Sequence, residues 1–161
     1  MMPTAVRTYA PAGETPELKA SAKRDRLSAI SAITPEGKLY TSVQSKAFDG
    51  NSVVGFLRHL LRHVGGKLLV IWDGLPAPRS KEVGRFLSET GDHVHLERLP
   101  GYAPDLNPDE GIWQYLKNVE LAGICCRSLR ELRQQLRLAI ERLRHKRDVI
   151  VGCFGLAGLN L

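Results

Sequence analysis

The sequence predicts an α/β domain with a mixed sheet and helices on its faces, and three observations carry that prediction. The run Leu68-Leu-Val-Ile-Trp72, entered from Lys67 and closed by Asp73, Gly74 and Pro76, has the length and apolar character of a strand covered on both faces. Val53, Phe56, Leu57, Leu60, Leu61 and Val64 recur at the 3.6-residue period of an amphipathic helix. Strand and helix patterns then alternate along the chain as strand, strand, helix, strand, helix, strand, helix, the order that builds layered α/β folds.

The elements follow in order. Residues 1–24 mix Pro3, Pro11, Gly13 and Pro16 with polar residues and read as an irregular arm with at most a short strand at 5–9. Lys19, Lys23, Arg24 and Arg26 add positive charge before a strand at 27–33, and a turn at 34–37 leads into a second strand at 38–43. Asp49-Gly-Asn-Ser52 supplies helix caps, and Gly65-Gly66 stops the helix that follows. Its polar side carries Arg58, His59, Arg62 and His63; the two histidines stand four apart, but with no third ligand at a telling spacing they read as solvated. Ser80 caps a short helix with Val83, Phe86 and Leu87 inward and Gly91 as its stop, and 93–99 alternates as a half-buried strand with His93 and His95 outward.

At 161 residues the chain fits a single domain, 1–161, able to bury roughly 70% of its unfolded surface. No apolar run approaches the roughly 20 residues that cross a bilayer, and the start lacks a signal-peptide core, so a cytoplasmic protein with no membrane partner is expected. Cys125, Cys126 and Cys153 are odd in number and lack zinc-ligand spacing, which fits reduced thiols. A net charge of +6 and a pI near 9.5 ask for an acidic partner such as nucleic acid, although solvated basic surface has the same composition.

The charge is not spread evenly. Ser128-Leu-Arg-Glu131 is a capping box opening a long helix with Leu129, Leu132, Leu136, Ala139, Ile140 and Leu143 on one stripe. The stretch 127–147 holds Arg127, Arg130, Arg133, Arg137, Arg142, Arg144, Lys146 and Arg147 against Glu131 and Glu141, an excess equal to the net charge of the chain. Such a basic helical face suits phosphate tracking, and these eight residues are the candidate DNA contacts. The apolar tail 149–161 is expected to pack back on the domain or on a partner.

Two acids are the candidates for chemistry. In Leu99-Pro-Gly-Tyr-Ala-Pro-Asp-Leu-Asn-Pro-Asp-Glu110, Asn107 stands at an N-cap, Pro108 at the first helical position and Glu110 in the first turn. A carboxylate there also serves as the return half of a capping box, the structural alternative to a catalytic role. Asp73 closes the strand at 68–72, where open α/β sheets place their ligands. The 36 residues between the two acids hold one helix and one strand, enough to return the chain to the same sheet end.

The strings Val70-Ile-Trp-Asp73 and Leu99-Pro-Gly-Tyr-Ala-Pro-Asp-Leu-Asn-Pro-Asp-Glu-Gly-Ile-Trp113 resemble the second and third acidic motifs of the DDE transposases, most closely the bacterial insertion-sequence branch related to the mariner elements. The likeness extends through Arg7-Thr-Tyr-Ala-Pro-Ala-Gly-Glu-Thr-Pro16, residues 26–33 and the basic C-terminal helix, nearly the whole chain. It implies a retroviral-integrase-like (RNase H-like) fold, a bacterial cytoplasmic setting and three acids holding two divalent ions, Mg2+ or Mn2+, for cleavage and strand transfer of DNA. Asp73 and Glu110 match two of the acids, as catalytic and metal-binding residues, while the family's first Asp lies on a strand upstream of the segment that 1–11 resembles. The resemblance therefore implies a truncated first strand and an incomplete triad; Asp25, between Arg24 and Arg26, fits a surface ion pair better than a substitute. Pro78 stands where the family commonly has His, and Gly74 where Asn is usual. Two other readings stay open: a non-catalytic DNA-binding or assembly remnant, and an α/β domain whose acids are only a strand end and a helix cap. DNA is the expected partner, with a second copy of the chain as a further candidate.

Overall fold

The computed structural model describes residues 26–73, 80–101 and 103–159. The arm at 1–24 with its short strand, Asp25, Gly74, Pro76 and Pro78 lie outside them.

β1 (Ser28–Ile33) and β2 (Leu39–Gln44) pair antiparallel from Ser28 opposite Gln44 to Ile33 opposite Leu39. The reversal is a short turn in which the Gly37 N–H donates to the Thr34 carbonyl at 2.9 Å, with Gly37 at a φ of 82° that a side chain resists. α1 (Gly50–Val64) starts at Asp49, whose carboxylate accepts from the Ser52 N–H while the Ser52 hydroxyl accepts from the Asp49 N–H, both at 2.8 Å. Gly65 and Gly66 end it. β3 (Leu68–Trp72) and β4 (Val94–Arg98) pair parallel through α2 (Lys81–Thr90), capped by the Ser80 hydroxyl. α3 (Pro108–Tyr115) runs into a wider turn at Leu116–Glu120 before α4 (Leu129–Arg144) and α5 (Arg147–Leu156).

The hairpin divides the interior, because successive strand residues face opposite ways. Ile30, Ala32 and Tyr40 pack against a core built by Val53, Leu57, Leu60, Leu68, Val83, Phe86 and Val94 from α1, α2, β3 and β4. Ile33, Leu39 and Val43 face a second core made by Ile112, Leu116, Leu136, Ala139, Ile140, Leu143 and Ile150 from the C-terminal helices.

Three expectations change. Antiparallel and parallel pairings are both present, but among the described residues they form two separate two-stranded ladders, and no hydrogen bonds join β1 to β3. Among the described residues β3 is covered on one face: Leu68 is buried while Leu69 and Ile71 are 64% and 56% exposed, because α1 and α2 pack into the same core as Leu68. The basic stretch 127–147 is not one helix. It breaks at His145-Lys146, where the Lys146 N–H bonds back to the Leu143 carbonyl before α5 begins at Arg147. The apolar tail becomes α5, whose Ile150 and Cys153 enter the second core.

α3 and α5 touch at Gly111, where a methyl group in place of the glycine hydrogen would sit 2.8 Å from Cys153 Sγ and 3.2 Å from its Cβ. Gly111→Ala is expected to lower stability by about 1–3 kcal/mol, as overpacking does. Removing the sulfur with Cys153→Ala in the same chain should recover part of that loss. Urea unfolding of both single variants and the double variant tests it: a double variant that loses the full sum would show that the two helices do not meet there.

Candidate active site

A cleft of about 720 Å³ lies between the two ladders. Residues 29–33 of β1 and 68–72 of β3 all border it in succession. Side chains alternate along a strand, so walls made of consecutive residues mean that the cleft runs along strand edges. Phe56 and Leu60 of α1, Trp113 of α3 and Phe154 of α5 supply more apolar lining, and Asp73 and Asp109 are acids on its wall.

Asp73 follows the last residue of β3 and is exposed. The chain leaving β4 starts beside it, since the Leu99 N–H donates to the Trp72 carbonyl at 2.9 Å. A single 3₁₀ turn at Pro104–Leu106 then delivers Asn107, whose Oδ1 accepts from the Asp109 N–H at 3.1 Å, with Pro108 in the first helical position. The expected cap is therefore in place. The Glu110 backbone N–H donates to the Asn107 carbonyl at 3.1 Å, while its half-buried carboxylate makes no hydrogen bond among the described residues, so it does not close a capping box.

Between these acids stands a third that sequence reasoning passed over. Asp109 Oδ2 accepts from Ser31 Oγ at 2.6 Å and from Trp113 Nε1 at 3.0 Å, tying α3 to β1 and to its own next turn. Its Oδ1, like Trp72 Nε1, is sealed from solvent and has no hydrogen-bond partner among the described residues. Burial pushes the Asp109 carboxyl up to about 6; the two hydrogen bonds pull it down, and the negative charges of Glu110 and Asp73 push it up further. All three acids thus share one electrostatic neighbourhood. The signal available in the sequence was Trp113, four residues after Asp109 and so one turn above it on the helix.

Carboxylate oxygens are the donors that hard divalent ions take, and an orphaned buried oxygen fits such a site. Among the described residues, no three His, Cys, Asp or Glu side chains are already gathered as ligands. His59 and His63 stack at 4.1 Å beside Tyr40. Burial and the nearby charges of His63, Arg62 and Arg144 hold the His59 imidazole below its ordinary range.

The eight basic residues divide in two. Glu120, buried in the turn after α3, accepts from Arg142 Nε and Lys146 Nζ at 2.7 Å each, and Lys146 also reaches the Tyr115 hydroxyl. The Lys146 ammonium, then burial acting in the other direction, then Arg142 set the Glu120 carboxyl below its usual range. Arg144 pairs with Glu141 and reaches the Leu39 carbonyl, Arg147 donates to the Glu36 carbonyl, and Arg133 to that of Val43. Arg127, Arg130 and Arg137 are exposed, and their side chains make no such bonds among the described residues.

The sequence profile of the DDE superfamily endonucleases matches residues 2–133, and the chain belongs to that family. Among solved structures it is similar to the Mos1 mariner paired-end complex with Mn, with a TM-score of 0.58 and 18% identity over 99% of this chain and 52% of that one. The Mos1 strand transfer complex gives 0.59 and 17% over 99% and 51%, and the catalytic domain of Mos1 mariner transposase 0.53 and 17% over 83% and 74%. What is shared at such identity is the fold, the RNase H-like α/β arrangement expected from the motifs. The chain spans about half the length of the two complexed transposase chains. No curated protein matches its sequence. Among the described residues no helix is long and apolar enough to cross a membrane.

The buried acid has a consequence for stability. The folded Asp109 keeps its proton up to about pH 6, whereas the unfolded chain releases it near 3.8. The folded state therefore binds more protons between those values, and stability contributed by this group falls as pH rises through that window and levels off above it. Two units correspond to about 3 kcal/mol. In metal-free buffer at pH 7.5, Asp109→Asn should raise the unfolding free energy by about 1–3 kcal/mol and flatten its decline between pH 4 and 6. A variant that is less stable than the parent at pH 7.5 would contradict the burial of a charged carboxylate.

Proposed function

We propose that this chain forms part of a transposase catalytic domain for divalent-metal-dependent cleavage and strand transfer of DNA, with Asp73 and Glu110 as metal-holding acids. The observation that carries the reading is that Asp73, at the end of β3, and Asp109, in the first turn of α3 next to Glu110, border one cleft. Membership of the DDE superfamily endonucleases supports it, as does likeness in fold to a mariner complex that contains Mn.

Asp73 presents its carboxylate from the exposed end of a strand, and Asn107 and Pro108 set the helix start from which Glu110 presents its own. Mg2+ or Mn2+ held between them would activate a water or 3′-hydroxyl and stabilise the leaving oxygen at phosphorus. No side chain then has to act as nucleophile. Two ions close together repel each other, and the two acids alone offset little of that repulsion. The 161-residue chain should therefore leave a labelled duplex intact in Mg2+ or Mn2+, while a version extended upstream by a strand bearing an Asp nicks it. Asp73→Asn and Glu110→Gln should each abolish nicking; nicking that survives both would overturn the assignment.

DNA is the partner this reading requires, and the exposed Arg127, Arg130 and Arg137 are the residues placed to meet phosphates. Replacing all three by Ala should weaken duplex binding and flatten its log–log salt dependence by about 0.9 for each phosphate that is no longer neutralised. Arg142→Ala should act differently, lowering stability by removing a partner of the buried Glu120. Fluorescence anisotropy across a salt series separates the two. An unchanged slope in the triple variant would place the DNA surface elsewhere.

A further inference from the structure

The first turn of α3 sets two acids side by side, and the proposed reaction uses only one. We propose that Asp109 is a third carboxylate ligand of the divalent-cation site, binding through Oδ1 beside Asp73 and Glu110. This rests on the metal-dependent reading above and deepens it.

The two oxygens of Asp109 have different surroundings. Oδ2 is committed to Ser31 and Trp113, while Oδ1 is enclosed and receives no donor among the described residues. Buried oxygens are nearly always satisfied, and one that is not calls for an explanation, a bound cation being the one that suits a carboxylate beside two other acids. The residue lines the same cleft as Asp73 and stands next to Glu110 in the first turn of α3. Neighbouring carboxylates repel one another, and a divalent cation drawn among them would turn that repulsion into attraction.

The construction of the tie also suits a ligand. Hydrogen bonds to one oxygen of a carboxylate fix its orientation and leave the other for the metal, the role outer-shell donors play around metal sites. Asp109 would be the fixed member. Asp73, exposed, and Glu110, half-buried, would supply the remaining carboxylates. One ion held this way does not supply the second that strand transfer needs, so the proposal concerns binding and is read by binding.

The only two tryptophans of the chain, Trp72 and Trp113, both border the cleft, and Trp113 bonds to Asp109 itself. Mn2+ quenches nearby indoles, so its affinity can be titrated directly on the full chain by fluorescence at pH 7.5. Asp109→Asn keeps an acceptor for Ser31 and Trp113 and should weaken Mn2+ binding about tenfold or more, alongside Asp73→Asn and Glu110→Gln, with far-UV circular dichroism unchanged. Native affinity in Asp109→Asn with losses in the other two would overturn this proposal alone and leave Asp109 a structural tie. Native affinity in all three would overturn the metal reading as well. A crystal of the unmutated chain grown with Mn2+ tests the same point without relying on a variant to fold. An anomalous peak about 2.1 Å from Asp109 Oδ1 supports ligation, and a peak bound only by Asp73 and Glu110 refutes it.

Discussion

The arrangement depends on one enclosed carboxylate. Asp109 sits where α3 meets β1, and its two donors come from different elements: a hydroxyl from the middle of the hairpin and an indole from the next turn of its own helix. A buried carboxylate is costly unless it is bonded, so the helix cannot slide or turn without leaving that group unmet. On the neighbouring face Gly111 lets Cys153 of α5 approach closely. Glu110 stands between these two fixed residues. Its direction follows from theirs, since successive helix positions turn through about 100°.

A second buried acid organises the positive charge. Glu120 has a side chain only 5% exposed and draws in Arg142 and Lys146, which then cap the turn between α3 and α4 and bind the C-terminal helices together. Arg144 and Arg147 stitch the same region to the hairpin through the Leu39 and Glu36 carbonyls. With Arg133 on the Val43 carbonyl, five of the eight basic residues thus serve architecture. Arg127, just before α4, and Arg130 and Arg137 within it stay exposed, so one sequence segment carries both internally bonded and solvent-facing charge.

The two ladders have only two strands each, and such ladders are marginal on their own. Their stability comes from the helices, with α1 and α2 covering one and the C-terminal group covering the outer face of the hairpin. The hairpin can belong to both cores because its apolar residues occupy both faces, with Ser31 the polar exception that meets Asp109. The cleft is what remains where the two cores adjoin, and Asp73 and Asp109 border it.

Local chemistry was legible in the sequence. The order of elements, the caps at Asp49, Ser80, Asn107 and Ser128, and the glycine stops all follow from neighbours a few residues away, and each is where those neighbours put it. The acidic motifs pointed to the family for the same reason, being contiguous strings. What involved distant partners was not legible. The exposure of Leu69 and Ile71 depends on where α1 and α2 dock, and the engagement of Arg142 and Lys146 on a glutamate 22 and 26 residues away. The role of Asp109 depends on Ser31, 78 residues distant. Periodicity and spacing report which face of an element is apolar, but only packing decides which polar group is sealed beneath it and which charge is left for a partner.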